Sequence, residues 1–338
     1  MTDQTQKRLA AWIGWTARVA IGAGLTYWIV RQFLSQPLEF DMRDWSRLWP
    51  LWMAGGHALF FGAYLLGIVR WRLLMDSHDI RLTWRRAFSL FFIGHFFNAF
   101  MLGATGGDMI KAWYAARETH HLKTEAAMLV FLDRLVGLVA LVILVLGALA
   151  FQFRLLLDQP SLSRAVLFLL ILLAVTVLLL AFLWRRNWLE SGSWERLSRR
   201  LPDKLAEQTA RVYAAVFHFK SRPRVIFQAF VLSLGVHILS LFACIFFAKA
   251  IGVQLSVFHA FTLFPLLGAL GSIPVTPGGY GFREGISVVL FGTIGIGPVP
   301  AFLLSLFPHL SMLLWSLFGG LLYLAEPASK RPAQTELN

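Results

Sequence analysis

Acidic residues are scarce in this chain, with 18 Asp and Glu against 31 Lys and Arg. Charge of either sign makes up only 14% of its 338 residues. There is one cysteine, Cys244, set in an apolar run; this excludes an intramolecular disulfide and a cysteine metal cluster. No P-loop, Rossmann fingerprint or Ser-His-Asp arrangement is present, which argues against ATP-driven transport by the chain alone. His57, His237 and His309 stand singly on apolar stretches without metal-ligand spacing. His120, His121 and Glu125 come closer to such spacing, but they sit at a membrane boundary without a fourth ligand. No metal and no cofactor is expected.

What is present is apolar. The chain is 57% hydrophobic with mean hydropathy +0.65, and several runs exceed the roughly 18 to 20 residues needed to cross a bilayer. The formal charge of +13 reads first as cytoplasmic loops rich in Lys and Arg and second as attraction for anionic lipid. Basic residues follow hydrophobic spans and form no separate basic domain, which argues against nucleic-acid binding.

Full spans are expected at about Ala10–Phe33, Trp49–Leu74, Thr124–Phe151, Arg164–Trp184, Val225–Ala248 and Val299–Leu324. The first follows Lys7 and Arg8 without a convincing cleavage site and reads as a retained helix. Arg70, Arg72, Arg81, Arg85 and Arg86 cluster and mark a cytoplasmic side. Residues 185–224 carry ten Lys and Arg. Apolar residues such as Trp194, Leu197, Leu201 and Leu205 recur there at helical spacing, which fits an amphipathic or solvated cytoplasmic connector. Residues 326–338 form a polar cytoplasmic tail.

Two apolar stretches are broken. "RAFSLFFIGHFFNAFMLGA" stops at Gly103 and resumes as "GGDMIKAWYAAR", and "VTPGGYGFREG" interrupts the stretch from Val257 to Phe291. Non-helical backbone at membrane depth is tolerated where it is buried in protein or lines a cavity, so each reads as a re-entrant helical hairpin. Superposing the glycine pairs sets Thr105-Gly106-Gly107 against Pro277-Gly278-Gly279, Asp108 against Tyr280, and Lys111 against Arg283. Each broken stretch lies between two full spans, giving repeat units of about 49–151 and 225–324. With basic loops inside, the two hairpins enter from opposite faces. The fold expected is an all-α polytopic membrane protein, about six full transmembrane helices plus two re-entrant hairpins in an inverted-topology repeat. It forms one domain over 1–325, with sites where broken helices meet near the midplane.

Six ionisable residues fall in or beside these elements: Asp108, Lys111, Asp133, Arg134, Arg283 and Glu284. A charge at the bilayer centre costs at least about 2.5 to 3.5 kcal/mol, so such residues face a cavity or each other. Asp108 reads as a helix N-cap, as a partner for Lys111, or as part of the site. Lys111 and Arg283 are candidates for an anionic headgroup, supported by backbone N–H groups at Gly106, Gly107, Gly278 and Gly279. Glu284 and Asp133 read as neutralising Arg283 and Arg134, or as a proton or ion relay. His95 and Asn98, three apart, read as satisfied polar contacts between helices, with ligand contact as the alternative.

"GGDMIKAWYAAR", "AAMLVFLDRLVGL" and "PVTPGGYGFREG", in that order, resemble the membrane region of lysylphosphatidylglycerol synthases. A wider family of stand-alone flippase-like membrane proteins shares that region, and the similarity runs from about residue 10 to 325. The resemblance implies a lipid flippase with motif positions at Gly106, Gly107, Asp108, Lys111, Arg134, Pro277, Gly278, Gly279 and Glu284. The family often has Arg where Lys111 stands. The synthases' aminoacyl-transferase domain has no counterpart in these residues, so lysyl transfer is not expected. The chain is thus expected to translocate an anionic phospholipid or polyprenyl-phosphate-linked lipid across a bacterial inner membrane, with both termini cytoplasmic. Its partners are anionic membrane lipids and a lipid-biosynthetic enzyme. The alternative is a membrane-embedded lipid-modifying enzyme, or a non-transporting partner of one.

Overall fold

The computed structural model describes residues 49–100, 106–118, 123–151, 222–271 and 281–326, with isolated positions from 163 to 178. Among the described residues there are eight α-helices and no strand. Four helices have 28 residues each: α1 (Trp49–Asp76), α4 (Lys123–Ala150), α5 (Pro223–Ala250) and α8 (Pro298–Ala325). At 1.5 Å per residue each reaches roughly 42 Å, and all four are apolar enough to cross a membrane. They match four of the six expected spans; the expected spans at Ala10–Phe33 and Arg164–Trp184 and the connector lie wholly or mostly outside the described residues.

The other four helices are α2 (Trp84–Phe100, 17 residues), α3 (Gly106–Arg117, 12), α6 (Val257–Gly271, 15) and α7 (Phe282–Gly292, 11). None reaches the roughly 30 Å of a hydrocarbon core. α2 and α3 run antiparallel: Arg86 meets Glu118 near one end, and Asn98 meets Gly107 near the other. α6 and α7 do the same, with Phe264 against Phe291 and Gly271 against Arg283. The glycine register from sequence does not carry into the helix starts. α3 begins at the glycine pair itself, whereas α7 begins after Gly281, whose φ of 76° is a left-handed conformation that a continuing helix cannot contain.

α1 packs along the length of α5, and the two are antiparallel. Gly55 and Gly56 seat Phe246 and Phe247 near one end, and Arg70 bonds Ser233 near the other. Between them one contact occurs twice: Gly62 faces Leu239, and Gly235 faces Leu66. Each helix supplies a glycine and a leucine four residues later, so the contact is self-complementary. The remaining principal contacts pair up under the exchange of α1 with α5, α2 with α6, α3 with α7 and α4 with α8. Thus α8 lies on α2 as α6 lies on α4.

One apolar core comes largely from residues 68–136 and a second from residues 241–304. At one end of the bundle Arg86 joins Glu118 and Glu326, and Arg222 donates to the Ser77 carbonyl. At the other end Phe151 packs on Phe258, and Lys249 lies over Trp52. The two hairpins therefore open at opposite ends.

Arg70 does not belong with the end-marking arginines. It is 8% exposed and faces α4 and α5, while Arg81 and Arg85 are exposed. Two residues of separation turn a helix by about 200°, which sends Arg70 and Arg72 to different faces.

Candidate functional site

Hairpin α2–α3 is built on close backbone approach. A Cβ on Gly107 would overlap the Gly94 carbonyl oxygen, so only glycine lets the two arms meet there. Asn98 Oδ1 accepts the Gly107 N–H at 2.8 Å, satisfying one of the orphan donors of the α3 N-terminus. Asn98 Nδ2 donates to Asp108 at 3.4 Å, and Asp108 accepts from Arg134 of α4 at 2.6 Å. Asp108 lies in the first turn of α3, where a carboxylate also complements the helix dipole.

A second carboxylate lies deeper. Asp133 of α4 is 3% exposed and takes a two-pronged bond from Arg70, 2.7 Å from Nε and 2.9 Å from Nη2. Arg70 Nη1 donates to Ser233 of α5 at 2.8 Å. Lys111 of α3, also buried, places Nζ 3.9 Å from Asp133 and 4.1 Å from the centre of the Trp71 ring. One carboxylate thus holds two cations from two further helices, as a buried charge requires.

The adjacent-neighbour reading of these charges is corrected. Asp133 pairs with Arg70 and Lys111 rather than with Arg134, and Asp108 pairs with Arg134 rather than with Lys111. Consecutive helical residues project about 100° apart, so Asp133 and Arg134 serve different faces. Sequence reasoning missed Arg70 as a site residue. Its signal was the first of two arginines inside "LLGIVRWRLL", hidden by Arg72 and the arginines that follow.

The second hairpin meets α8 through neutral partners. Arg283 of α7 donates from Nε to Ser305 Oγ at 3.2 Å, from Nη1 to His309 Nδ1 at 2.8 Å, and from Nη2 to the Ser305 carbonyl at 3.2 Å. Pro308 lies within this stretch of α8; it lacks the N–H that a helical turn needs and loosens the carbonyls before it. Glu284 does stand near Arg283, at 3.5 Å, in line with the neutralising reading. Its shorter bond goes elsewhere: Oε2 accepts the Gly281 N–H at 2.7 Å and fixes the start of α7. Ser305 and His309 were also missed; nothing in an apolar helix pattern distinguishes a serine or histidine facing a partner.

Between the hairpins lies a cavity of about 370 Å³. Its wall takes His95 from α2 and Arg283 from α7, together with His237 and His309. Apolar side chains such as Phe60, Leu141, Leu241 and Phe264 form most of the remainder. Lys111, Asp108, Asp133, Arg134 and Asn98 are not part of this wall and form the neighbouring ion network. His237 bonds the Gly137 carbonyl at 2.9 Å and His57 bonds Ser311 at 2.7 Å, tying long helices together. The reading of His95 as a satisfied helix contact is corrected: its ring packs on Tyr64 and Phe91, and its buried Nε2 has no hydrogen-bond partner among the described residues. The candidate positions Thr105, Pro277, Gly278, Gly279 and Tyr280 lie outside the described residues.

Four apolar spanning helices around two short-helix hairpins define a multi-pass membrane protein. The profile of the lysylphosphatidylglycerol synthase TM region matches residues 15–320, and the chain belongs to that family. The family is one of membrane proteins involved in lipid handling. No match to a curated protein or to a solved structure is found.

Proposed function

We propose that this protein is a flippase that moves an anionic lipid headgroup between the leaflets of a bacterial inner membrane. The headgroup is that of a phospholipid or of a polyprenyl-phosphate-linked lipid. It enters the cavity between the hairpins while the tails stay in the bilayer. On this reading α2–α3 and α6–α7 are re-entrant hairpins of an inverted-topology repeat, and the termini are cytoplasmic. The chain is a transporter rather than an enzyme, and its partners are anionic lipids and an enzyme of lipid biosynthesis.

The observation that carries the reading is the cavity itself, lined by His95 from one hairpin and Arg283 from the other. Sites of this kind, mostly apolar with a few polar groups, lie where broken helices converge. The antiparallel packing of α1 on α5 supports the inverted arrangement, since two spanning helices so packed cross in opposite senses.

Reconstitution into liposomes with a leaflet-specific assay tests the function, and anionic lipids should move faster than neutral ones. Equal movement of both, or none of either, overturns the proposal. For topology, single cysteines at Arg117 and Glu326 should label from the cytoplasm and ones at Gly252 and Ile294 from outside. Labelling of all four from one side removes the inverted repeat.

A further inference from the structure

One charge of the ion network opens to the outside of the bundle. Arg70 and Lys111 are buried, and both reach Asp133. Arg134 differs: its side chain is 54% exposed, and its one bond among the described residues runs from Nη2 to Asp108 at 2.6 Å. A guanidinium has five N–H donors, so most of the capacity of this one is unused. Three cations stand against two carboxylates in the network, a surplus of one positive charge among the described residues.

The depth of Arg134 gives this exposure its meaning. Arg134 follows Lys123, the first residue of the 28-residue helix α4, by about 16 Å along a length of about 42 Å. A hydrocarbon core of about 30 Å centred on that helix puts it about 10 Å inside the nearer edge. A charge so placed needs a partner or a polar space, and acyl chains supply neither. Its surroundings are apolar. Ala127 and Phe131 precede it at helical spacing on the same face, and both are exposed. Met109, beside Asp108 on α3, is exposed as well. The face therefore offers a cation within an apolar stripe, which matches a phosphate with hydrocarbon chains attached. A free anion would meet the cation and gain nothing from the stripe.

We propose that Arg134 and Asp108 form a lipid site on the outer face of α3 and α4, separate from the cavity, whose wall does not include them. Arg134 holds the phosphate of a lipid of net negative charge inside the hydrocarbon core, and the acyl chains lie along Phe131 and Ala127. Asp108 is a positioning residue: it fixes the guanidinium through Nη2 and leaves the remaining N–H groups for the phosphate. A zwitterionic lipid brings its own cation to a place already in positive surplus and binds less well. The site depends on the packing of α3 against α4, not on movement of the lipid or on its entry into the cavity.

Two measurements on the purified full chain test this. In liposomes, phosphatidylglycerol with a diazirine beside its glycerol should label α4 around Phe131 and Arg134, read by peptide mass spectrometry. Phosphatidylcholine with the same diazirine should not. A lipid in its ordinary place in a leaflet brings only the far half of its chains to that depth. By native mass spectrometry, phosphatidylglycerol should bind at least about tenfold tighter than phosphatidylcholine with matched chains, as one charge-assisted hydrogen bond allows. Arg134→Gln with Asp108→Asn removes both charges together and keeps hydrogen-bonding groups; it should abolish the labelling and the preference with thermal unfolding little changed. Arg86→Gln, which removes a cation from the end of the bundle, should leave both intact. Inorganic phosphate should not displace the lipid; displacement would make this a site for a free anion and overturn the lipid assignment. Equal labelling by both lipids overturns the site. So does labelling by neither, the outcome expected if another stretch of the chain covers Arg134, and both results need only the unmodified protein. Labelling by phosphatidylglycerol without movement in liposomes sinks the flippase reading and leaves the site standing. Movement without labelling does the opposite.

Discussion

The two hairpins occupy matching places in the bundle, yet they are fastened by different chemistry. Hairpin α2–α3 is tied to α4 by charges, Lys111 to Asp133 and Asp108 to Arg134, with Arg70 sharing Asp133 from α1. Hairpin α6–α7 is tied to α8 by a charge on neutral acceptors, Arg283 on Ser305 and His309, and by Ser287 on the Ala301 carbonyl. The same architecture thus tolerates either device. Around α2–α3 three cations face two carboxylates, and the Arg134 side chain is 54% exposed; Arg283 meets Glu284 of its own helix at 3.5 Å besides its neutral partners on α8. One hairpin is therefore fastened to its neighbours by ion pairs and the other by neutral hydrogen bonds.

The sharpest way to break this contrast is to remove Asp133. Asp133→Leu strands Arg70 and Lys111 in the interior and should cost about 3 to 5 kcal/mol of stability, read by thermal unfolding in detergent. Ser305→Ala in the other hairpin should cost about 1.5 to 3 kcal/mol at most, because the Ser305 carbonyl and His309 still accept from Arg283. Similar losses from both would erase the distinction between the two ways of fastening. The triple change Arg70→Met, Lys111→Met, Asp133→Leu removes the whole network and should recover much of the stability lost by Asp133→Leu alone.

Backbone approach gives the next largest effect. Gly107→Ala forces the arms of α2–α3 apart and should cost about 1 to 3 kcal/mol. Gly147→Ala on α4, where an added Cβ meets nothing within 4 Å, should be neutral or stabilise by up to about 1 kcal/mol. If Gly107→Ala behaves like Gly147→Ala, the close approach is not structural.

The smallest effect belongs to the mouth of α2–α3. Arg86 bridges Glu118 and Glu326 there, and partly exposed pairs contribute only about 0.2 to 1 kcal/mol each. Arg86→Gln should lower stability slightly, with the difference shrinking in high salt. A loss that is independent of salt would assign Arg86 to packing on Tyr114 instead.

How legible all this was from sequence follows from the kind of signal each feature leaves. Four long spans announce themselves as apolar runs, and the broken stretches announce themselves because "ATGGDMIK" and "TPGGYGFREG" put glycine and charge where a span should continue. Candidate charges were equally visible, since an ion inside an apolar run is rare. Their pairing was not visible. Arg70 reaches Asp133 across 63 residues of chain and Ser233 across 163, and no local rule sees such distances. Adjacent residues suggested the wrong partners because a helix separates neighbours by about 100°. Ser305 and His309 left no mark at all, as a polar residue on an apolar helix reads the same whether it faces a partner or merely bonds its own backbone.

The doubled Gly–Leu contact between α1 and α5 has a consequence for assembly. A contact in which each side presents the same residues to the other is isologous, the kind of surface found at the two-fold axis of a homodimer. Here both copies of that surface belong to one polypeptide, so the chain is in effect its own dimer. The covalent link between the halves should then be dispensable. Fragments 1–200 and 201–338, co-expressed and solubilised together, should co-purify through α1 and α5. Leu66→Ala with Leu239→Ala should release them from each other more readily than a comparable change on the outer face of α8, such as Leu314→Ala.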